Sequence, residues 1–457
     1  MLAQLSILAA FLVAFIRFRM GRNKSRKDSI TVSFFHPHSA GRGGGERVLW
    51  AAVEGLLRKP RVGKVVIYSI DTDRESILAA KNKTFNFSPS IFESKIEFRK
   101  LNFSFLMEAK TWPLATIIGQ SVGAAIVFIV GLVRTPITSW PDMVVDTTGC
   151  PFIMPVAKIT TGAKIAAYIH YPTMSNDMFA KIESKKPDFN NRKIFTNNPI
   201  LFNLKIFYYK FFLTIYRACG WFTDIALANS NWTGSRIEAV WARDHVDVLY
   251  PPAAIGSGDQ IKDITSLEDK ARRKVLVSLA QFRPEKNQKL QISVFAKVVA
   301  KIPDAEFWVM GGARNSADNQ LMNDLKDYAK SLGIPESNIR FIANAEWSEV
   351  SSRLRQGMCA IHTMVDEHFG ISLLEFLEAK LPVVAHRSGG PENDILMPDE
   401  KFGFLASNED EFVDKICAVL SDFKAVKRKR IDAYNSLSRF MNDFQFGDAF
   451  ANYVLGK

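Results

Sequence analysis

At 457 residues, 47% of them apolar and 35 of them phenylalanine, the chain is too long for one hydrophobic core and too apolar to be disordered. A formal net charge of +12 asks for an anionic partner: nucleic acid, an anionic membrane face or a phosphorylated substrate. Lysine and arginine are scattered outside the N-terminus and no nucleic-acid module is recognisable, which sets nucleic acid aside. Cys150, Cys219, Cys359 and Cys417 lie far apart, without the paired spacing of a zinc site or a disulfide framework, and fit a reducing compartment.

Residues 1–16 are almost entirely apolar, and Arg17, Arg19, Arg22, Lys24, Arg26 and Lys27 follow. A cleaved signal peptide has the opposite order, with charges first and a small-residue cleavage site last. The expectation is an N-terminal membrane anchor over residues 1–20, whose basic flank keeps everything downstream in the cytosol. The run is short for a full span, so a shallow interfacial anchor is the alternative. Sequons at Asn82, Asn86, Asn102 and Asn231 are then silent, because they matter only in the secretory lumen.

A strand over residues 30–35 comes next, then the loop His36-Pro37-His38-Ser39-Ala40-Gly41-Arg42-Gly43-Gly44-Gly45, then an amphipathic helix over residues 48–57. A strand, a glycine-rich loop and a helix make the first unit of a doubly wound domain, with an anion site at the helix N-terminus. The spacing matches neither the dinucleotide fingerprint nor a P-loop, and a merely flexible turn is the alternative. Asp71-Thr72-Asp73 follows a second strand, over residues 65–70, and resembles a metal-holding Asp-x-Asp, but no third oxygen ligand is near in sequence.

Residues 114–133 form an apolar run long enough to span a bilayer. A single crossing there would put the glycine loop and the later glutamate stretch on opposite sides of the membrane, so the expectation is an embedded or membrane-dipping helix. Residues 201–216, LFNLKIFYYKFFLTIY, read as a basic, aromatic helix lying on the membrane surface. Further strands over residues 143–146, 164–169, 225–230 and 247–249 complete a domain expected over residues 30–252, with a parallel sheet covered on both faces. His170 stands at the carboxyl end of one of these strands, where open α/β sheets bind ligands.

Residues 253–274 lack apolar periodicity and read as the linker to a second alternating domain over residues 275–457. Its first strand ends in Gln281-Phe282-Arg283-Pro284-Glu285-Lys286-Asn287, which puts two cations suited to a diphosphate at the sheet's carboxyl edge. The stretch VDEHFGISLLEFLEAKLPVVAHRSGGP, residues 365–391, supplies Glu367 and Glu375, a helix start at Phe369, Gly370 and Ile371, and a second glycine loop at Gly389 and Gly390. Two clusters of backbone N–H groups so close together suit a ligand with a phosphate and a sugar; an ordinary αβ unit whose glycines only make turns is the alternative. The last helix, about residues 425–455, has too few anchoring neighbours to be placed.

The glycine loop, the Arg/Lys loop and the Glu-x7-Glu stretch together resemble the retaining glycosyltransferases of the GT-B type, over residue 31 to the C-terminus. A narrower resemblance rests on FFHPHSAGRGGGERVLW, AYIHYPTMSNDMF, LANSNWT, FRPEKNQ and DEHFGISLLEFLEA, together with the N-terminal anchor. It is to the endoplasmic-reticulum family that adds α-1,2-linked mannoses to the dolichol-linked oligosaccharide. The resemblance implies two Rossmann-like domains facing across a cleft, GDP-mannose as donor, and a dolichyl-diphosphate oligosaccharide as acceptor on the cytosolic face of the membrane. It also implies partnership with other mannosyltransferases of the pathway, and no metal or other cofactor.

By the same resemblance Glu367 holds hydroxyls of the transferred mannose and Glu375 the ribose of GDP. The N–H groups of Phe369, Gly370 and Ile371 face the diphosphate, with Gly389 and Gly390 beside them. Arg283 and Lys286 neutralise the leaving group, Gly44 and Gly45 line the cleft from the first domain, and His170 sits near the reacting centre. Many relatives have Gly-Arg directly after the strand, where this chain has Ala280 and Gln281, so Lys286 carries over better than Arg283. The rival readings are a sister mannosyltransferase of another linkage, a non-catalytic GT-B membrane subunit, and a metal-dependent enzyme using Asp71 and Asp73.

Overall fold

The structure is a computed structural model and describes residues 29–41, 43–75, 77, 78, 81, 93–183, 198–253, 269–397 and 399–456. The expected anchor, Asn82, Asn86 and most of the expected linker lie outside the described residues. The chain divides into two compact units, each built on its own parallel sheet. Among the described residues, the first takes in those up to Asn229, Thr233–Pro252 and the C-terminal stretch from Asp443; the second takes in Ser230–Trp232 and Ala253–Asn442.

In the first unit the strands are β1 (Ile30–Phe35), β2 (Val62–Ser69), β3 (Ile96–Lys100), β4 (Met143–Asp146), β5 (Lys164–Ile169), β6 (Ile225–Ala228) and β7 (Asp247–Val248). They lie side by side in the order β3-β2-β1-β4-β5-β6-β7. Helices α1 (Gly44–Leu57), α2 (Thr116–Val133), α3 (Ile153–Thr161), α4 (Asn176–Glu183), α5 (Pro199–Trp221) and α6 (Asn231–Trp241) connect them. The central strands are mostly apolar and almost continuously buried because helices cover the sheet on both faces, as parallel sheets require.

Helix α2 is the run that composition nominates for the membrane. One side of it packs into the first unit's core: Ala124, Val127, Phe128 and Leu132 are fully buried, and Phe128 sits edge-on to Phe35 and Tyr68 at 6.1 and 5.3 Å. A helix apolar all round belongs in a protein core as readily as in lipid, and only Val122 is exposed along its length. Leu114, just ahead of the helix, is 96% exposed.

The end of the chain differs from the expected single helix in the second domain. It breaks into α12 (Lys427–Asn435), a 3-10 turn at Ser436–Arg439, and α13 (Asp443–Leu455). Helix α13 is part of the first unit, with Phe446 and Phe450 buried against Tyr168 and Phe450 stacked on Phe34.

In the second unit the strands are β8 (Val275–Leu279), β9 (Glu306–Gly311), β10 (Ile339–Ala343), β11 (Cys359–His362), β12 (Val383–His386) and β13 (Phe404–Ala406), in the order β10-β9-β8-β11-β12-β13. Helices α7 (Gln288–Lys301), α8 (Ser316–Ser331), α9 (Trp347–Gln356), α10 (Ile371–Glu378) and α11 (Glu409–Ser421) cover it, together with α12. In both sheets the strand order reverses beside the first strand of the unit, β1 or β8. The crevice at the carboxyl ends there is where such sheets take ligands.

Candidate active site

In the second unit the site grows from the carboxyl ends of β8 and β11. After β8 the chain is pinned by the Phe282 N–H donating to Gly312 O at 3.0 Å, turns through Pro284–Lys286, and enters α7 with Asn287 in the left-handed region at φ 52°. That turn aims the Lys286 ammonium at Glu367 Oε2, 2.5 Å away, with Met364 Sδ at 3.2 Å. After β11, His362 Nε2 lies 3.1 Å from the same Glu367 oxygen. The other carboxylate oxygen takes the His368 backbone N–H at 3.2 Å.

The Glu367 side chain is only 10% exposed. Burial works against its ionisation, but the His362 hydrogen bond and the Lys286 charge outweigh it and hold the carboxyl well below the usual carboxylate range. The Lys286 contact offsets the burial of the carboxylate, which left alone would be an uncompensated buried charge.

The glycine loop after β12 fixes the turn that carries Glu367. Gly389 has φ +66°, and a Cβ there would lie 2.3 Å from Glu367 O and 2.7 Å from Glu367 N. Gly390 donates its N–H to Glu367 O at 2.7 Å, and the Asp366 N–H reaches Ser388 Oγ at 2.7 Å. Backbone lies directly on backbone, which no side chain at Gly389 would allow. Phe369 is buried with its ring edge-on to Phe440 at 5.8 Å, so only its main chain could meet a ligand. Gly370 caps α10, whose first N–H groups have no acceptor within the helix. Glu375 lies one turn further along α10, half-buried. Arg283 points elsewhere: it is 42% exposed, with Glu285 at 3.9 Å.

In the first unit the loop between β1 and α1 is held by Glu46, whose Oε2 accepts the Gly43 N–H at 2.7 Å. Buried His36 bonds Thr147 Oγ1 at 2.8 Å through Nδ1, and its Nε2 lies 4.0 Å from Glu46 Oε1. Burial opposes ionisation of Glu46, but His36 and the Gly43 N–H outweigh it, and its pKa falls to about 2. Gly44 opens α1, and a Cβ on Gly45 would stand 3.9 Å from His170 Nε2, so the glycine loop and His170 are neighbours. The Asp71 carboxylate accepts the Ala40 N–H at 3.1 Å, supporting the same loop. Among the described residues no three His, Cys, Asp or Glu side chains gather where they could hold a metal ion.

The structure therefore brings Lys286 and Glu367 into contact in one unit, and Gly45 and His170 together in the other; Arg283 is not joined to the first group. Sequence reasoning missed His362, His36 and Glu46. His362 had a legible signal, since it ends a strand five residues before Glu367, but it stands outside the quoted motif. Nothing in the sequence pairs His36 with Thr147.

Residues 29–241 match the family model described as the ALG11 mannosyltransferase N-terminus, and residues 259–436 match that of the glycosyl transferases group 1. The chain is similar to the GDP-Man:Man(3)GlcNAc(2)-PP-Dol alpha-1,2-mannosyltransferase of Mus musculus, at 34% identity over 441 residues, 94% of this chain and 87% of that one. The protein of the same description in Dictyostelium discoideum is 31% identical over 442 residues, 94% of this chain and 86% of its own. Among solved structures, Anabaena Alr3699/HepE in complex with UDP-glucose superposes with a TM-score of 0.62 at 14% identity, covering 94% of this chain and all of that one. WaaG, a glycosyltransferase involved in lipopolysaccharide biosynthesis, gives 0.59 at 14% identity over 93% of this chain and 100% of its own. At such identities the likeness is one of fold: two parallel Rossmann-like sheets in the GT-B arrangement.

Proposed function

The chain belongs to the family of GDP-Man:Man(3)GlcNAc(2)-PP-Dol alpha-1,2-mannosyltransferases, and from that premise we propose how its own residues carry the reaction. It is a GDP-mannose-dependent α-1,2-mannosyltransferase of N-glycan precursor assembly, with Man3GlcNAc2-PP-Dol as acceptor. In the transfer, the bond from the anomeric carbon of mannose to the GDP phosphate oxygen breaks and a bond to an acceptor hydroxyl oxygen forms. The hydroxyl proton passes to the departing phosphate. Positive character grows on the sugar and negative charge on GDP, so fixed donors at the diphosphate favour the transition state.

Lys286 and the N–H groups of Gly370 and Ile371 at the start of α10 supply that positive potential, with Arg283 as an outer cation. Glu367, held ionised, grips the mannose hydroxyls, and Glu375 the ribose. In the first unit Gly44, Gly45 and His170 are the residues proposed to serve the same reaction. The observation that carries this reading is the Lys286–Glu367 pair, its carboxylate buried, at the head of α10. The enzyme works at the endoplasmic-reticulum membrane with its catalytic units on the cytosolic face, and α5 lies along the lipid surface.

The test is transfer from GDP-mannose to a synthetic lipid-linked trimannosyl acceptor. Activity is expected to survive EDTA, because protein cations serve the diphosphate. Glu367→Ala and Lys286→Ala are each expected to lower kcat/KM at least about 100-fold, and Arg283→Ala much less. No turnover with GDP-mannose, or full activity in the first two variants, would sink the reading. Product linkages of α-1,3 or α-1,6 would reassign the chain to a sister step.

A further inference from the structure

Glu367 Oε2 has two partners, and they differ in kind. Lys286 is a flexible cation that the reaction calls to the diphosphate; His362 is a rigid ring at the end of β11, 3% exposed. An ionised carboxylate has only acceptors, so His362 Nε2 carries the proton of this bond. The other ring nitrogen, Nδ1, is buried with no hydrogen-bond partner among the described residues. The ring therefore makes a single directed bond, and its whole polar function is spent on Glu367. The next residue acts on the opposite member of the pair. Thr363 Oγ1 lies 3.0 Å from both Lys286 O and Asn287 O, and receives the Gln291 side-chain N–H at 3.0 Å.

We infer that His362 is a positioning residue: it holds the Glu367 carboxylate in place for the transferred sugar, so that Lys286 can turn to the departing diphosphate without leaving a buried charge unpaired. The inference rests on the function proposed above. If Lys286 alone held Glu367 Oε2, each approach of the ammonium to phosphate would leave that oxygen without a donor and the buried anion with only the His368 N–H on its other oxygen. With His362 in place the carboxylate keeps one strong donor throughout, and Thr363 keeps the Lys286 main chain at a set distance from it.

Kinetics of the full chain with the lipid-linked acceptor test this, with GDP as a competitive ligand that carries no mannose. His362→Ala is expected to raise KM for GDP-mannose about tenfold or more, the loss of a hydrogen bond to a charged group, while the inhibition constant of GDP stays within about twofold. His362→Gln, whose amide can donate from nearly the same place, is expected to restore most of the affinity. His362→Leu, of similar bulk and without a donor, carries the comparison if the alanine variant does not fold. In a Glu367→Gln background the His362 substitution should add little. Equal weakening of GDP and GDP-mannose would mean general loosening of the unit and overturn the inference, as would unchanged kinetics in His362→Leu. Absence of transfer by the wild-type chain would instead remove the proposed function, and this inference with it.

Discussion

Glu46 shows how one carboxylate can hold a ligand loop in shape. It caps the glycine loop through the Gly43 N–H and stands beside His36, and its pKa is held near 2, below the unfolded value. A depressed carboxylate adds stability that is present above its unfolded pKa, about 4.5, and is lost as pH falls toward 2. The wild type should therefore shed up to about 3 kcal/mol across that window. Glu46→Gln keeps an acceptor for Gly43 and lacks the charge, so its urea midpoint should fall less steeply between those pH values. Parallel acid profiles for the two proteins would refute this. The residue scale also shows where reading the sequence ran out. Lys286 and Glu367 were legible because each sits in a recognisable loop at a strand end. His362 and His36 were not, because their roles depend on partners brought in by the fold, five residues away in one case and across two strands in the other.

At the scale of elements, the alternation of strands and helices was readable almost throughout, since period and apolar runs are local properties. What was not local was harder to read. The apolar run in α2 has the length of a span, and nothing in its own pattern shows that Phe128 packs over Phe35 and Tyr68. The C-terminal helix α13 gave no local clue that it joins the first unit, because its evidence is a fit to α1. There a Cβ on Gly447 would lie 2.3 Å from Ala51 O, and one on Gly55 would lie 1.9 Å from Gly447 O. Arg47 adds a bidentate pair to Asp443 at 2.8 and 2.7 Å, and Lys59 reaches Asp448 at 2.6 Å. Helix α13 thus braces α1, which presents Gly44 and Gly45, and β5, whose Tyr168 meets both Phe446 and His170. Gly447→Ala must push the two helices apart and should destabilise the chain by about 1–3 kcal/mol despite alanine's better helix propensity. Gly234→Ala in α6, whose nearest neighbour is 3.5 Å away, should be neutral or slightly stabilising. Equal urea midpoints for the two variants would show that the close approach does not bear on stability.

For the molecule as a whole, an excess of 12 positive charges accompanies an exposed apolar stripe among the described residues. On α5, Ile200, Leu204, Phe207 and Phe211 recur at helical spacing as one exposed stripe, flanked by Lys205 and Lys210. The Tyr208 hydroxyl accepts the N–H groups of Ile117 and Ile118 at 3.1 and 3.2 Å, tying α5 to the head of α2. Exposed Leu114, Phe103 and Phe105 extend the apolar surface of the same unit. An apolar stripe rimmed by cations matches an anionic lipid surface, where aliphatic and aromatic groups enter the acyl boundary and ammonium groups meet phosphate. A lipid-anchored acceptor would then be met at the depth where its diphosphate lies. With the full chain on vesicles of phosphatidylcholine and phosphatidylserine, photoreactive acyl chains should label residues 200–211 as well as the N-terminal apolar run. Leu204→Glu with Phe207→Glu, both at exposed positions and so compatible with folding, should abolish the α5 label and leave the N-terminal label. The same pair should slow transfer to a long-chain lipid acceptor while sparing a water-soluble short-chain analogue. Labelling confined to residues 1–20, or equal loss with both acceptors, would mean that α5 does not lie on lipid.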